Sequence, residues 1–218
     1  MLCLFDIDGT LLHNAAADHR EAIHAAIRRV YGIRNPEDAR IEPAGRTDPH
    51  IARHITLQLG LSAARFEDRL VDFKRVAVEE YARYDGDLSG HVVPGIPDVL
   101  EELAAREDVT LSLVTGNLQA IAHLKLDRAG IGHYFAHGQG GFGSDAEDRA
   151  ELPAIARARA GGIAPEHTVV IGDTPHDIAC ARADGVRVVA VTTGPFRADA
   201  LRGADAIATT ARELLDVL

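Results

Sequence analysis

The chain has 218 residues, a formal net charge of −10 at pH 7 and 46% hydrophobic residues, which fits one large domain or one domain with an insertion. The acidic balance argues against a nucleic-acid or membrane partner, because nucleic acids and anionic bilayers both bind basic surfaces. We expect the short apolar run at the start to be neither a signal peptide nor a membrane span, and two cysteines make no disulfide framework, so a cytoplasmic location is predicted.

Short apolar runs alternate with helical patterns along most of the chain. Five runs are predicted to be buried strands, at 2–6, 109–114, 167–171, 186–191 and 204–208. A weaker sixth strand is predicted at Tyr134–Phe135. Helical spacing occupies the segments between them, at 96–103, 118–129, 150–160 and 178–183. This alternation predicts an α/β fold with a Rossmann-like parallel sheet that is covered on both faces.

The alternation is interrupted between the first and second predicted strands. Residues 14–88 contain no convincing strand, but they contain helical patterns, including 48–59 and 63–84. The clearest pattern has apolar side chains three or four residues apart, at Ile23, Ala26, Ile27, Val30 and Tyr31. We therefore predict an inserted α-helical cap domain at 14–88 and a catalytic core made of 1–13 plus 89–218. An insertion that begins beside the first strand would lie over the site as a lid.

The first strand leads into two carboxylates, Asp6 and Asp8, followed by Gly9 and Thr10. A spacing of two places both aspartates on the same side of an extended backbone. Two like charges at that distance repel unless a cation or a shared proton lies between them, and a hard cation such as Mg²⁺ prefers oxygen ligands. The alternative is a strand that ends in an acidic turn without function.

Two more polar motifs follow predicted strands. Thr115, Gly116 and Asn117 come directly before a helical pattern, where a hydroxyl and free backbone N–H groups would form a phosphate cradle. The alternative is that Thr115 ends the strand and Asn117 caps the helix. Asp173 and Asp177 flank the start of another helix, where acidic residues also occur without function because they favour the helix dipole.

These motifs together resemble those of the haloacid dehalogenase superfamily of phosphotransferases. Three ordered motifs carry the resemblance: Asp6-x-Asp8-Gly9-Thr10, Thr115-Gly116-Asn117 and Gly172-Asp173-Thr174-x-x-Asp177. The helical insertion after the first motif is similar to the cap of the phosphoglycolate phosphatase and β-phosphoglucomutase-like branch. The resemblance covers nearly the whole chain and implies the same fold, a Rossmann-like core with a cap.

The resemblance also implies roles for the motif residues. Asp6 corresponds to the nucleophile that forms an aspartyl-phosphate, and Asp8 to the acid and base that also gives its backbone carbonyl to Mg²⁺. Thr115 corresponds to a catalytic phosphate-binding residue. Asp173 is similar to a direct Mg²⁺ ligand, whereas Asp177 resembles a supporting residue of the metal site. The presence of Asp8 indicates phosphate chemistry, because the dehalogenases of the superfamily lack this aspartate.

The chain departs from the family pattern at its cationic third motif, where relatives carry a lysine. Arg149 has the closest spacing, and Lys125 is the alternative; either could also be a surface cation without function. The turn around Arg46, Gly45-Arg46-Thr47-Asp48, resembles a substrate-contacting cap loop. Arg46 is the predicted contact, and the alternative is a turn in which Thr47 or Asp48 caps a helix.

The sequence therefore predicts a Mg²⁺-dependent phosphatase that hydrolyses a small phosphorylated metabolite through an aspartyl-phosphate intermediate. The substrate would be phosphoglycolate-like or a sugar phosphate, and the protein a monomer or homodimer. One alternative is a phosphomutase, which returns the phosphoryl group to a sugar. Another is a catalytically silent binding protein, whose mark would be the loss of Asp6 or Asp8, and both are present.

Overall fold

A single parallel sheet forms the centre of the computed structural model, which describes residues 1–218. The strands are β1 Leu2–Phe5, β2 Thr110–Thr115, β3 Gly141–Phe142, β4 Thr168–Gly172, β5 Arg187–Val191 and β6 Ala206–Ala208. Their order across the sheet is β3-β2-β1-β4-β5-β6, and every neighbouring pair is parallel. Because β1 lies between β2 and β4, the residues that follow these three strands meet at one edge, where ligands bind in such sheets.

Nine α-helices accompany the sheet. Four follow β1, namely α1 Ala17–Tyr31, α2 Asp48–Gln58, α3 Ala63–Asp68 and α4 Leu70–Ala82. Five follow the later strands or precede β2, namely α5 Ile96–Ala104, α6 Gln119–Arg128, α7 Leu152–Arg159, α8 Pro175–Asp184 and α9 Ala211–Val217. None of these helices combines the length and apolar character that a bilayer-spanning segment needs.

Three apolar clusters hold these elements together. Alternate side chains of β1 enter two of them: Cys3 and Phe5 belong to one, and Leu2 and Leu4 to the other. Successive strand residues point to opposite faces, so both faces of the sheet are covered, as a parallel sheet requires. The third cluster joins α1, α2, α3 and α4 with two residues near the start of α6, Leu118 and Ile121. The α/β fold with inserted helices is therefore confirmed.

The five predicted apolar strands are confirmed, but two other predictions of secondary structure differ from the structure. The predicted strand at Tyr134–Phe135 is wrong, because residues 132–134 form a 3₁₀ turn. The edge strand lies instead at Gly141–Phe142, within a glycine cluster. A Cβ atom on Gly141 would lie 2.2 Å from the backbone oxygen of Leu152, so only glycine allows α7 to approach this edge. The helical pattern at 63–84 divides into α3 and α4.

Candidate active site

The two aspartates after β1 occupy different surroundings. The Asp6 backbone N–H continues the sheet by donating to Ile171 O at 2.9 Å, and its side chain is buried. Asp8 lies beyond the strand and is partly exposed. Each carboxylate has a cation of its own, which is Arg149 for Asp6 and Lys125 for Asp8. The site therefore has two halves, described in turn.

The first half, here called the Asp6 cluster, consists of Asp6, Asp173, Asp177 and Arg149. One oxygen of each of the three buried carboxylates lies within 4.8 Å of the other two. The Arg149 guanidinium lies 3.1 Å from Asp6 Oδ1 through Nη2, and the same nitrogen donates to Asp177. Strands β1 and β4 and the start of α8 thus bring these side chains to one point.

The Asp6 cluster holds three carboxylates against one guanidinium. Burial raises the pKa of Asp6 to about 6; Arg149 opposes the rise, while the charges of Asp177 and Asp8 add to it. Burial, together with the nearby charges of Asp6 and Asp177, likewise raises the pKa of Asp173 to about 8. Negative charge therefore exceeds positive charge in this cluster, and a divalent cation would restore the balance.

The residues present fit such a cation. Asp173 Oδ2 is buried without a hydrogen-bond partner, whereas Oδ1 accepts from Thr10 Oγ1 at 3.2 Å. Hard carboxylate oxygens are the ligands that Mg²⁺ prefers. Gly9 has a φ of +92°, and a Cβ there would lie 2.2 Å from Asp173 Oδ2. The Asp-Gly-Thr motif thus needs its glycine for both conformation and space.

Asp177 has a supporting place in this cluster. Its Oδ2 accepts from the Thr174 backbone N–H at 2.9 Å and from Thr174 Oγ1 at 2.7 Å, in a capping box that starts α8. Its Oδ1 accepts from Arg149. Asp177 is thus the helix-start acid of the alternative interpretation, and the same carboxylate also holds the guanidinium of the Asp6 cluster.

The second half of the site, the Asp8 pair, consists of Asp8 and Lys125. Lys125 is fully buried, and its Nζ donates to Asp8 Oδ1 at 2.8 Å and Oδ2 at 2.6 Å. Asn117 Nδ2 donates to Oδ2 at 2.9 Å. Burial is the largest single influence and acts to raise the pKa of Asp8. The charges of Lys125 and His19 and the hydrogen bonds from Lys125 and Asn117 together outweigh burial, so the pKa lies below its ordinary value.

Two readings of these residues need correction. Neither Arg149 nor Lys125 is a surface cation, and they are not alternatives, because both enter the site. The spacing of Asp6 and Asp8 predicted a cation or a shared proton between their carboxylates, but the Asp8 oxygens accept from Lys125 and Asn117, and the acidic group comprises Asp6, Asp173 and Asp177. The backbone carbonyl that the resemblance implied for Asp8 is unaffected by this side-chain pairing.

The loop after β2 contacts the inserted helices. Asn117 does not cap α6, whose N-cap residue is Leu118. The Leu118 N–H donates to Asp48 Oδ2 at 2.7 Å, so it is not free to bind phosphate in this conformation. Thr115 is fully buried at the end of β2, and a Cβ on Gly116 would lie 2.0 Å from the Arg46 backbone oxygen. Gly116 therefore lets the cap loop approach the core.

The cap loop contacts the site through its backbone and not through the side chain of Arg46. The Arg46 side chain stays within the loop, where Nε donates to Glu42 O at 2.9 Å and Nη1 lies 2.9 Å from His50 Nε2. Thr47 is the N-cap residue of α2, as the alternative reading had it. The Gly45 carbonyl accepts from Arg149 Nη1 at 3.1 Å, which connects the loop to the Asp6 cluster.

Sequence reasoning missed one buried side chain at the site, His19 of α1. Its Nε2 lies 3.0 Å from Asp48 Oδ2, and His19 is only 7% exposed. The sequence did carry a signal, because His19 precedes Ile23 by four residues and so continues the apolar stripe of α1. A polar residue on a core-facing stripe points to a specific partner.

The parallel sheet and the carboxylates grouped at its central strand ends are typical of an α/β enzyme with an acidic site. A family model of haloacid dehalogenase-like hydrolases matches residues 1–185. The chain belongs to this family, and the resemblance seen in its motifs is confirmed.

Several relatives with known names are similar over most of the chain. A phosphoglycolate phosphatase from Rhodospirillum rubrum is 30% identical over 210 residues, which cover 89% of this chain and 80% of that protein. A 5'-nucleotidase from Pseudomonas aeruginosa is 29% identical over 210 residues, covering 91% and 86%. Among solved structures, a haloacid dehalogenase-like hydrolase from Streptococcus pneumoniae has a TM-score of 0.64 and 26% identity, covering 99% of this chain and 97% of that one.

Proposed function

We propose that this hydrolase is a Mg²⁺-dependent phosphatase of small phosphomonoesters that works through an aspartyl-phosphate. The observation that carries the proposal is the Asp6 cluster, in which a buried carboxylate at the end of the central strand lies beside a guanidinium and two further carboxylates. Most of the named relatives that support a phosphatase are phosphoglycolate phosphatases. The substrate is accordingly a small phosphorylated metabolite.

In the first step an Asp6 oxygen attacks phosphorus, the bond from phosphorus to the ester oxygen breaks, and that oxygen takes a proton from Asp8. In the second step water attacks the aspartyl-phosphate, and Asp8 accepts the proton that the water loses. Over the two steps the proton that Asp8 gives to the leaving oxygen is replaced by one from the water, so the protons balance. Lys125 and Asn117 hold the Asp8 carboxylate in a single orientation for both transfers.

Asp6, Asp173 and the backbone carbonyl of Asp8 would hold Mg²⁺, with Asp177 in support. When bound, the ion supplies positive charge between an anionic nucleophile and an anionic phosphate. Arg149 adds a second positive charge, which Asp177 orients. Thr115 and Gly116 would contact the phosphoryl oxygens from the end of β2.

The remaining assignments follow from the same proposal. Residues 14–88 serve as a cap that excludes water from a core of 1–13 and 89–218, with Arg46 at the cap loop near the organic part of the substrate. The protein acts in the cytoplasm as a monomer or homodimer. The support for a reducing compartment is that Cys3 and Cys180 are both buried free thiols.

A screen over phosphorylated metabolites, with Mg²⁺ and after removal of metal, tests this function. We expect release of inorganic phosphate from at least one small ester only when Mg²⁺ is present. Isomerisation of a hexose phosphate without net phosphate release would indicate the phosphomutase alternative. Tight binding of phosphomonoesters with no turnover in any condition would indicate the silent binding protein.

A further inference from the structure

Two hydrogen-bond acceptors without protein partners lie near the Asp8 pair, and one of them is a buried atom. The first is Asn117 Oδ1, which is buried and has no hydrogen-bond partner, in a residue that is 7% exposed. The orientation of this amide is determined by Asp8, because the carboxylate only accepts and the NH₂ group must face it. Oδ1 and Nδ2 share one carbon, so the unpaired oxygen lies close to Asp8.

The second acceptor is the Nδ1 atom of His19. Its other ring nitrogen, Nε2, is bonded to Asp48 Oδ2, an oxygen that also accepts from the Leu118 N–H at 2.7 Å. Because a carboxylate only accepts, Nε2 carries the proton, and in the neutral ring Nδ1 presents a lone pair. Nδ1 makes no hydrogen bond within the protein. The edge of the Tyr81 ring packs against the imidazole, with centroids 5.8 Å apart, and restricts its rotation.

His19 and Asn117 are connected through a shared partner near Asp8. Asp48 joins them, since its carboxylate binds His19 and the backbone N–H next to Asn117 along the chain. His19 also lies near enough to Asp8 to influence the pKa of that carboxyl. In the proposed function, Asp8 protonates the ester oxygen that leaves. The organic part of the substrate therefore meets these two acceptors first.

We propose that this half of the site selects phosphomonoesters whose leaving group carries hydroxyl groups next to the ester carbon, as in polyol and sugar phosphates. The inference rests on the proposed phosphatase function and specifies its substrate class. A hydroxyl group would donate to Asn117 Oδ1 or His19 Nδ1. An alkyl group would leave a buried acceptor unsatisfied, and such sites discriminate strongly against an analogue that lacks the bonding group.

The same argument disfavours a leaving group with a carboxylate, as in 2-phosphoglycolate. A carboxylate has no hydrogen to donate to either acceptor, and it would add negative charge beside Asp8 and Asp48. The Arg46 guanidinium is held in its own loop by the Glu42 backbone carbonyl and by His50, so it makes no contact with Asp8 or Asp48.

The test compares kcat/KM for three esters at a single pH of about 8. Propyl phosphate and glycerol phosphate esterified at a terminal carbon form a matched pair that differs only in hydroxyl groups, and 2-phosphoglycolate is the third. We expect glycerol phosphate to exceed both others by roughly 10- to 100-fold in the wild type. Equal values for the matched pair, or a preference for 2-phosphoglycolate, would overturn the inference and leave the phosphatase function in place.

The variant His19→Phe keeps the ring volume and removes the acceptor. Its ratio of glycerol to propyl phosphate should fall by about tenfold relative to the wild type. The matched control is His24→Phe on the same helix, which faces Glu21 and Arg28 instead of the site and should keep the wild-type ratio. An unchanged ratio in folded His19→Phe contradicts the role of His19. If none of the three esters is hydrolysed with Mg²⁺, the proposed function itself is wrong, and this inference with it.

Discussion

Asp6 and Asp8 are only two positions apart in sequence, yet the charges that surround the two carboxylates differ. Asp6 shares its surroundings with two more carboxylates and one guanidinium, and its pKa is raised. Asp8 has one buried lysine and one amide to itself, and its pKa is lowered. The Asp8 pair is balanced by the protein, whereas the Asp6 cluster retains excess negative charge. Only the first half of the site therefore calls for a divalent cation.

The largest effect is expected for the nucleophile. Asp6→Asn should lower kcat by at least roughly a thousandfold, because an amide cannot form an acyl-phosphate. The fold should remain intact, since the substitution removes charge from an overcharged cluster. Steady-state kinetics with Mg²⁺ measures this effect, and Asp205→Asn, at an exposed ion pair with Arg182, is the control. Turnover within tenfold of the wild type would show that Asp6 is not the nucleophile.

The next largest effects are expected for the two buried cations, Arg149 and Lys125, and they should differ in size. Arg149→Met should lower kcat by about 100- to 1000-fold, because it removes positive charge from the phosphate and the nucleophile. Lys125→Met should cost about 10- to 100-fold, because Asp8 retains Asn117 and is partly exposed to water. Arg182→Met is the exposed control. If Lys125→Met lowered kcat more than a hundredfold while Arg149→Met left it nearly unchanged, the larger electrostatic contribution would come from the Asp8 pair and not from the Asp6 cluster.

Metal-free stability should depend on pH through Asp173. A carboxyl whose folded-state pKa is raised to about 8 stabilises the fold fully at low pH, and this contribution is lost as the pH rises through about 8. Thermal unfolding in chelator should therefore show a lower Tm at pH 8 than at pH 5. Added Mg²⁺ should raise the Tm more at pH 8 than at pH 5. Asp173→Asn should raise metal-free stability at pH 8 by about 1–3 kcal/mol while abolishing the Mg²⁺ effect. A destabilised variant that still responds to Mg²⁺ would remove Asp173 from the metal site.

The smallest effect is expected outside both halves. The Arg46 side chain is hydrogen-bonded within its own cap loop, so Arg46→Ala should raise KM for the preferred ester by less than about tenfold and leave kcat nearly unchanged. Kinetics with p-nitrophenyl phosphate in parallel serves as the control, because this ester relies mainly on the core. An equal loss of kcat on both esters would place Arg46 in the chemistry.

The sequence predicted the sheet and the order of its motifs because the apolar runs and the residues that follow them are local features. The tertiary partners of those residues could not be predicted from the sequence. Lys125 lies 117 positions from Asp8, and nothing near it in sequence distinguishes a buried lysine from an exposed one. The edge strand at Gly141 was missed because this position needs glycine for the close approach of α7. That tertiary contact overrides the low strand propensity of glycine.

The most direct test of the account is to identify the phosphorylated residue. The variant Asp8→Asn, which lacks the base for the second step, is mixed with Mg²⁺ and p-nitrophenyl phosphate, whose phenolate leaves without a proton from Asp8. The mixture is quenched and reduced with borohydride, which converts an aspartyl-phosphate to homoserine. Peptide mass spectrometry should then find homoserine at position 6 and an unchanged Asp173. Homoserine at another position, or a phosphorylated histidine or serine in place of an acyl-phosphate, would contradict the account.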